Sequence, residues 1–163
     1  MAILDILVYP NPLLRQETDL VTTFDGKLKK LIADMWETMY VAKGVGLAAP
    51  QVGVPIKLLV AEWEERRQVL INPSIIEKSG SEKREEGCLS FPGIYEEVER
   101  PERIRILYQD EKGESHDEIV EGYLARIFSH ETDHLNGKLL IDHVSLLKRA
   151  FLKKKFGRKA RIS

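Results

Sequence analysis

Residues 122–137 read GYLARIFSHETDHLNG. Leu124, Ile127, Phe128 and Leu135 return to one side of a helix, and Gly137 stands where the left-handed residue after a helix end belongs. The segments before it read differently. IKLLVAEW (56–63), VLINP (69–73) and RIRILYQD (103–110) have the β-branched content or the alternation of strands, and turn residues 110–113 lead into a further strand near 117–121. Upstream, Asp25 caps a predicted helix over 25–43. On it Leu28, Leu31, Ile32, Met35, Trp36, Met39 and Tyr40 recur at helical spacing, with Lys43 and then Gly44 as the stop. GVGLAAPQVGVP (44–55) is too rich in Gly and Pro for regular structure, and EKSGSEKREEG (77–87) reads as a solvated loop or an edge hairpin. A basic amphipathic helix is predicted over about 145–156. Strands in the middle, with helices before and after, specify a single α+β domain. Its mixed or antiparallel sheets surround a central helix carrying His130-Glu131-Thr132-Asp133-His134, with a long N-terminal helix and a basic C-terminal one.

The composition agrees with one domain. The chain has 163 residues, 43% of them hydrophobic, a size at which roughly two-thirds of the unfolded surface can be buried. Global disorder is excluded, and no apolar run reaches the roughly 18 residues a bilayer demands. MAILDILVYPNPLLR is too acidic and too interrupted by proline for a targeting peptide, so it reads as the first ordered segment of the domain. The single cysteine, Cys88, allows no internal disulfide, which points to a reducing cytoplasm. Charge is unevenly spread. Residues 144–163 hold Lys148, Arg149, Lys153, Lys154, Lys155, Arg158, Lys159 and Arg161 and no acid, whereas the first 143 carry 17 basic and 26 acidic residues. A polyanion would be met by the tail alone.

Histidines at i and i+4 share one helix face, so His130 and His134 can hold one cation, and Glu131 beside the first can act as base on the cation's water. The pattern would arise by chance in this composition about 1% of the time. A third donor is needed. Downstream, the spacing that would place another His falls on Leu140, and no Glu follows Glu131; Asp142 and His143 remain as outlying candidates. Upstream, Cys88 is the strongest, because a thiolate binds borderline-soft cations tightly. Two imidazoles and one thiolate leave a fourth position for water, the arrangement of a catalytic site. An ion so held lowers the pKa of its water to about 7. The residues alone thus support metal-assisted hydrolysis. His116 lies in a polar turn and reads as plain surface.

Gly44-Val45-Gly46-Leu47-Ala48-Ala49-Pro50-Gln51, Glu86-Gly87-Cys88-Leu89-Ser90 and His130-Glu131-Thr132-Asp133-His134-Leu135-Asn136-Gly137 resemble, in order and spacing, the three motifs of peptide deformylase. The similarity runs from YPNPLLR to about residue 147. It implies a catalytic domain over 1–147, with 148–163 as a basic extension of it, that removes the formyl group from N-formylmethionyl nascent chains in the cytoplasm. The ion would be Fe²⁺ in the cell, with Zn²⁺, Ni²⁺ or Co²⁺ in purified samples. By motif, the ligands are Cys88, His130 and His134 and the base is Glu131. Gln51, through its side-chain amide, and Leu89, through its backbone N–H, face the developing oxyanion, where losing one donor costs about 10²–10³ in rate.

Gly44 and Gly46 permit close backbone approach, and the backbones of Val45, Gly46 and Gly87 would take an extended peptide as an added strand. Val45, Tyr95, Tyr123 and Ile127 are assigned to the pocket for the Met side chain. Ser129 stands where the family usually has Gln, and Tyr95 where some relatives have Arg; the first alters packing behind the ligands, the second leaves preference beyond Met open. Arg126 is expected at the pocket rim or in solvent, and Asp133 and Arg100 are candidate partners of the ligands. The tail, with Leu147, Ala150 and Phe151 among its cations, reads as a surface helix or as a contact for ribosomal RNA, independent of sequence. No membrane partner is implied. Two other readings remain: an HExxH metallopeptidase, opposed by the missing downstream ligand, and a ribosome-binding module with a structural metal, which would need a fourth ligand and leave Glu131 without a task.

Overall fold

A computed structural model describes residues 2–162, with side chains as far as Phe156. Helix α1 (Gly26–Val41) begins where the Asp25 carboxylate accepts the Leu28 amide at 3.1 Å. It ends differently from expectation. Lys43, not Gly44, takes the left-handed conformation (φ 59°), while the amides of Lys43 and Gly44 return to the carbonyls of Tyr40 and Met39. Gly44 is thereby left for another duty, described below.

Five strands form an antiparallel sheet in the order β1 (Gly46–Ala48), β2 (Leu58–Trp63), β3 (Arg66–Ser79), β6 (Arg103–Gln109) and β7 (Ser115–Glu121). β4 (Glu82–Cys88) and β5 (Phe91–Arg100) make a separate two-stranded antiparallel sheet. Three expectations are corrected here. The Gly- and Pro-rich stretch contributes the short edge strand β1 and a 3₁₀ turn over Ala49–Val52, because β2 supplies it with a ladder partner. β3 runs through Pro73 to Ser79. It does so by a register shift between Ile71 and Ser74, where Asn72 adopts φ 53° and its side chain holds both backbone groups of Val21, at 2.8 and 2.9 Å. The charged segment after Gly80 is the edge strand β4, neither a loop nor a hairpin with β3, and pairs with β5, for which no strand is predicted above. His116 is exposed as expected, though on β7 and not in a turn: its ring stacks on Tyr108 at 5.1 Å, and its Nε2 lies 2.7 Å from Asp110.

One face of the large sheet receives α2 (Gly122–Leu135). Ala48, Leu59, Ala61, Leu70, Ile104 and Ile106 pack there against Leu124, Ile127, Phe128 and Leu135. α1 covers the opposite face through Leu28, Ile32, Met35, Trp36 and Met39. α2 ends at Asn136 with Gly137 at φ 73°, as its sequence predicts. The last helix, α3 (Leu146–Ile162), attaches by Leu152 and Phe156, the latter edge-on to Phe91 and Tyr9. Leu147 and Phe151 remain 84% and 63% exposed, as a surface helix would leave them. The side chains of Arg158, Lys159 and Arg161 lie outside the described residues. Among the described residues, no helix is long and apolar enough to cross a membrane.

Candidate metal centre and active-site cleft

The last two turns of α2 and the end of β4 meet at one point. Donor atoms of Cys88, His130 and His134 all lie within 4.8 Å of one another, with Cys88 Sγ 3.3 Å from His134 Nε2. The two imidazoles are 5.1 Å apart by ring centroid, the separation that one helical turn enforces. His134 is fully buried, and burial together with the neighbouring His130 charge depresses its pKa well below the ordinary value; it sits as a neutral donor. For His130, burial acts the same way, but the negative charges of Glu131, Cys88 and Glu86 outweigh it and raise the pKa. An extra positive charge is therefore welcome at this spot. Glu131 Oε1 and His134 Nδ1 are buried without a protein partner among the described residues. The nitrogen–nitrogen–sulfur set, the convergence and the unsatisfied carboxylate all fit a divalent, borderline-soft cation. Asp142 and His143 lie elsewhere, engaged with Arg15 and Asp133 respectively.

Glu131 is 5% exposed, and burial, only partly offset by His130, pushes its carboxyl up to about 7. Gly46 explains how a carboxylate fits there: a Cβ at that position would stand 2.6 Å from Glu131 Oε2. Gly44 has the parallel task, since its Cβ would come within 2.8 Å of Leu89 Cδ1. The Gln51 amide is oriented from both ends. Its Oε1 accepts the Ala48 amide at 2.9 Å, so its Nε2 faces Ser90 Oγ (3.1 Å) and Cys88 Sγ (3.8 Å).

The feature missed in the sequence is the bed beneath His130. Glu86, quoted in a motif but given no task, accepts His130 Nδ1 at 2.9 Å and both Arg100 Nε and Nη2 at 3.0 Å, and pairs with Arg126. Burial would raise its carboxyl, but these partners hold it well below the usual carboxylate range. Of the two expectations for Arg126, solvation is overturned: it is buried, lines the cleft, and donates also to Val98 O and Glu82 O. Arg100 reaches Asp133 at 2.5 Å, and Asp133 in turn holds His143 at 2.8 Å, so both suspected partners belong to this network. The Ser129 hydroxyl donates back to Ala125 O at 2.8 Å, which confines it to its own helix. A legible signal did exist, because strand alternation puts Glu86 opposite Gly87, on the side where a charge must be paired.

In front of the donors lies a cleft of about 380 Å³, bounded by Gly44, Val45, Gly46, Gln51, Gly87, Leu89, Tyr95, Tyr123 and Ile127. Ile127 forms its buried floor, while Val45 (38% exposed) and Tyr95 (65%) stand at its mouth. The Val45 carbonyl already accepts the Glu62 amide at 2.8 Å.

Residues 3–150 match the family model described as polypeptide deformylase. The chain is 51% identical over 161 residues to a peptide deformylase of Desulfotalea psychrophila, covering 95% of both. Among solved structures it resembles the Thermotoga maritima peptide deformylase (49% identity, 89% of this chain and 99% of that one, TM-score 0.87). It also resembles the Ehrlichia chaffeensis peptide deformylase in complex with actinonin (37% identity, 99% of each chain, TM-score 0.93).

Proposed function

The chain belongs to the polypeptide deformylase family, and on that premise we propose that it hydrolyses the formyl amide of N-formylmethionyl peptides, releasing formate, at Cys88, His130, His134 and Glu131. The observation that carries this reading is the meeting of one thiol and two imidazoles beside a buried carboxylate that has no protein partner for one oxygen. The three donors would hold one divalent ion. When bound, that ion, Fe²⁺ in the cell with Zn²⁺, Ni²⁺ or Co²⁺ in purified protein, would polarise the formyl oxygen and make water acidic near neutral pH. Glu131, with its carboxyl raised to about 7, is suited both to take a proton from that water and to deliver it to the leaving nitrogen. The Gln51 Nε2 and the Leu89 backbone N–H stabilise the oxyanion, and the amide is set in advance by Ala48. Glu86 fixes the His130 ring from behind.

The methionine side chain enters above Ile127 and Tyr123, with Val45 at the entrance, and the peptide backbone lies along Gly46 and Gly87. Residues 1–147 make up the catalytic unit, and 148–163 extend it. The cations of α3 contact ribosomal phosphates near emerging chains in the cytoplasm, with no sequence-specific nucleic acid and no membrane involved. Formate release from formyl-Met-Ala-Ser tests the central step. Wild type turns the peptide over, and Glu131→Gln loses about 10²–10⁴-fold in kcat. Turnover that survives Glu131→Gln would refute the mechanism.

A further inference from the structure

The two groups assigned to the oxyanion come from different sheets. Gln51 lies in the 3₁₀ turn after β1 of the large sheet, and Leu89 follows β4 of the small one. A side-chain bond joins the two segments, Gln51 Nε2 to Ser90 Oγ at 3.1 Å, but it takes one of the two hydrogens on the amide that faces the oxyanion. Another piece of chain joins them without touching that amide. The Leu7 N–H donates to Gln51 O at 2.7 Å, and the Tyr9 N–H donates to Ser90 O at 2.9 Å. Gln51 and Ser90 are both buried, so their carbonyls need such donors. Within the 3₁₀ turn the amides of Gly53 and Val54 return to Pro50 and Ala49, not to Gln51.

The donating residues are themselves held. Leu7 and Tyr9 are half-buried with Val8 exposed between them, the alternation of extended chain, so both amides lie along one edge. Their side chains join the core cluster of Leu14, Phe91, Leu139 and Leu140, and the Tyr9 ring stacks on Phe91 at 5.0 Å. Upstream, the Ala2 and Leu4 amides donate to Asp34 Oδ1 and Thr38 Oγ1 of α1, at 2.7 and 2.8 Å. The segment is thus a strap, fixed at α1 and bonded to each oxyanion segment in turn. We propose that Leu7 and Tyr9 are positioning residues for the reaction, their main-chain amides setting the spacing between the Gln51 and Leu89 donors. The inference rests on the function proposed above. Donors aimed at charge that develops only in the transition state must be placed in advance, and a misplacement of about 1 Å costs up to about 10²-fold in rate. Loosening the strap therefore lowers kcat and leaves KM and the ion content where they are.

The test measures formate release from formyl-Met-Ala-Ser, together with metal content, for wild type, Leu7→Pro, Leu7→Ala, Tyr9→Ala and Tyr9→Phe. Proline removes the N–H that Gln51 accepts, whereas alanine removes packing and keeps the N–H. Leu7→Pro should lose about 10–100-fold in kcat with KM within about twofold, and Leu7→Ala should stay within about threefold of wild type. Tyr9→Ala, which takes the ring off Phe91, should lose about threefold to tenfold in kcat, and Tyr9→Phe should restore it. A Leu7→Pro kcat within twofold of wild type, a loss matched by Leu7→Ala, or a loss carried by KM or by missing metal overturns the assignment. If Leu7→Pro does not fold, the Tyr9 pair decides, and wild-type kcat in Tyr9→Ala overturns it. The absence of formate from wild type would defeat the proposed function, whereas wild-type turnover with kcat unmoved in the variants defeats the strap alone.

Discussion

α2 and α3 are both helices with conspicuous charge, and they treat it in opposite ways. α2 buries ten of its fourteen residues, among them Arg126, Glu131 and His134. The fixed charge it buries toward β4 is answered by a named partner: Arg126 by Glu86 and His130 by the same carboxylate. Glu131 and His134 are the exceptions, each keeping one atom unsatisfied; His134 is one of the three donors and Glu131 stands beside them. α3 attaches by Leu152 and Phe156 and leaves Leu147 and Phe151 to solvent, with Lys148 paired to Glu96 at 3.0 Å. The contrast separates rigidity from reach. Chemistry needs side chains that cannot move, so it sits where packing and ion pairs over-determine them; a phosphate contact needs only charge in the right place.

Substitutions can break this contrast in order of size. Glu86→Gln strikes the rigid side, leaving two buried guanidinium groups facing a neutral amide. It should cost about 3–5 kcal/mol in urea unfolding and loosen metal binding about 10–100-fold. A cost below 1 kcal/mol would mean that the bed beneath His130 is not what holds the ring. On α3, Leu152→Ala should cost about 2–4 kcal/mol, because it empties the one well-packed contact in the first half of the helix.

The joint between the helices should respond less. Arg15 donates to Asp142 at 2.9 Å, with 41% and 24% of the two side chains exposed. Burial would raise the Asp142 carboxyl, but Arg15 and the Leu139 amide outweigh it and keep it below its usual value. The pair therefore adds stability above the ordinary carboxylate range and loses it as pH falls through and below about 4. Arg15→Ala should cost under about 1 kcal/mol at pH 7 and nothing measurable at pH 2.5. A cost unchanged between those pH values would rule the ion pair out as its source. Smallest of all, Lys154→Glu with Lys155→Glu should leave stability and formate release as they are while weakening low-salt co-sedimentation with ribosomes; unaltered co-sedimentation would remove α3 from that role.

The same division explains what could be read from the chain unaided. α2 was legible to its last residue because periodicity, a histidine pair and a C-terminal glycine all agreed. The donors were legible because their chemistry is rare in so small a set of His and Cys. β5 was not, since Glu96, Glu97, Glu99 and Arg100 hide an alternation whose buried members include an arginine neutralised only in three dimensions. Glu86 escaped for the same reason, and the end of α1 because a lysine took the left-handed position that glycine usually fills.

The central claim is a single ion held by one sulfur and two ring nitrogens. It is tested most directly by metal analysis of protein prepared without oxygen, alongside Cys88→Ser. One divalent ion per chain in wild type, falling to a small fraction in the variant while the far-UV spectrum stays unchanged, is the predicted result. Full metal content in Cys88→Ser, or formate release by wild type that holds no stoichiometric metal, would contradict it.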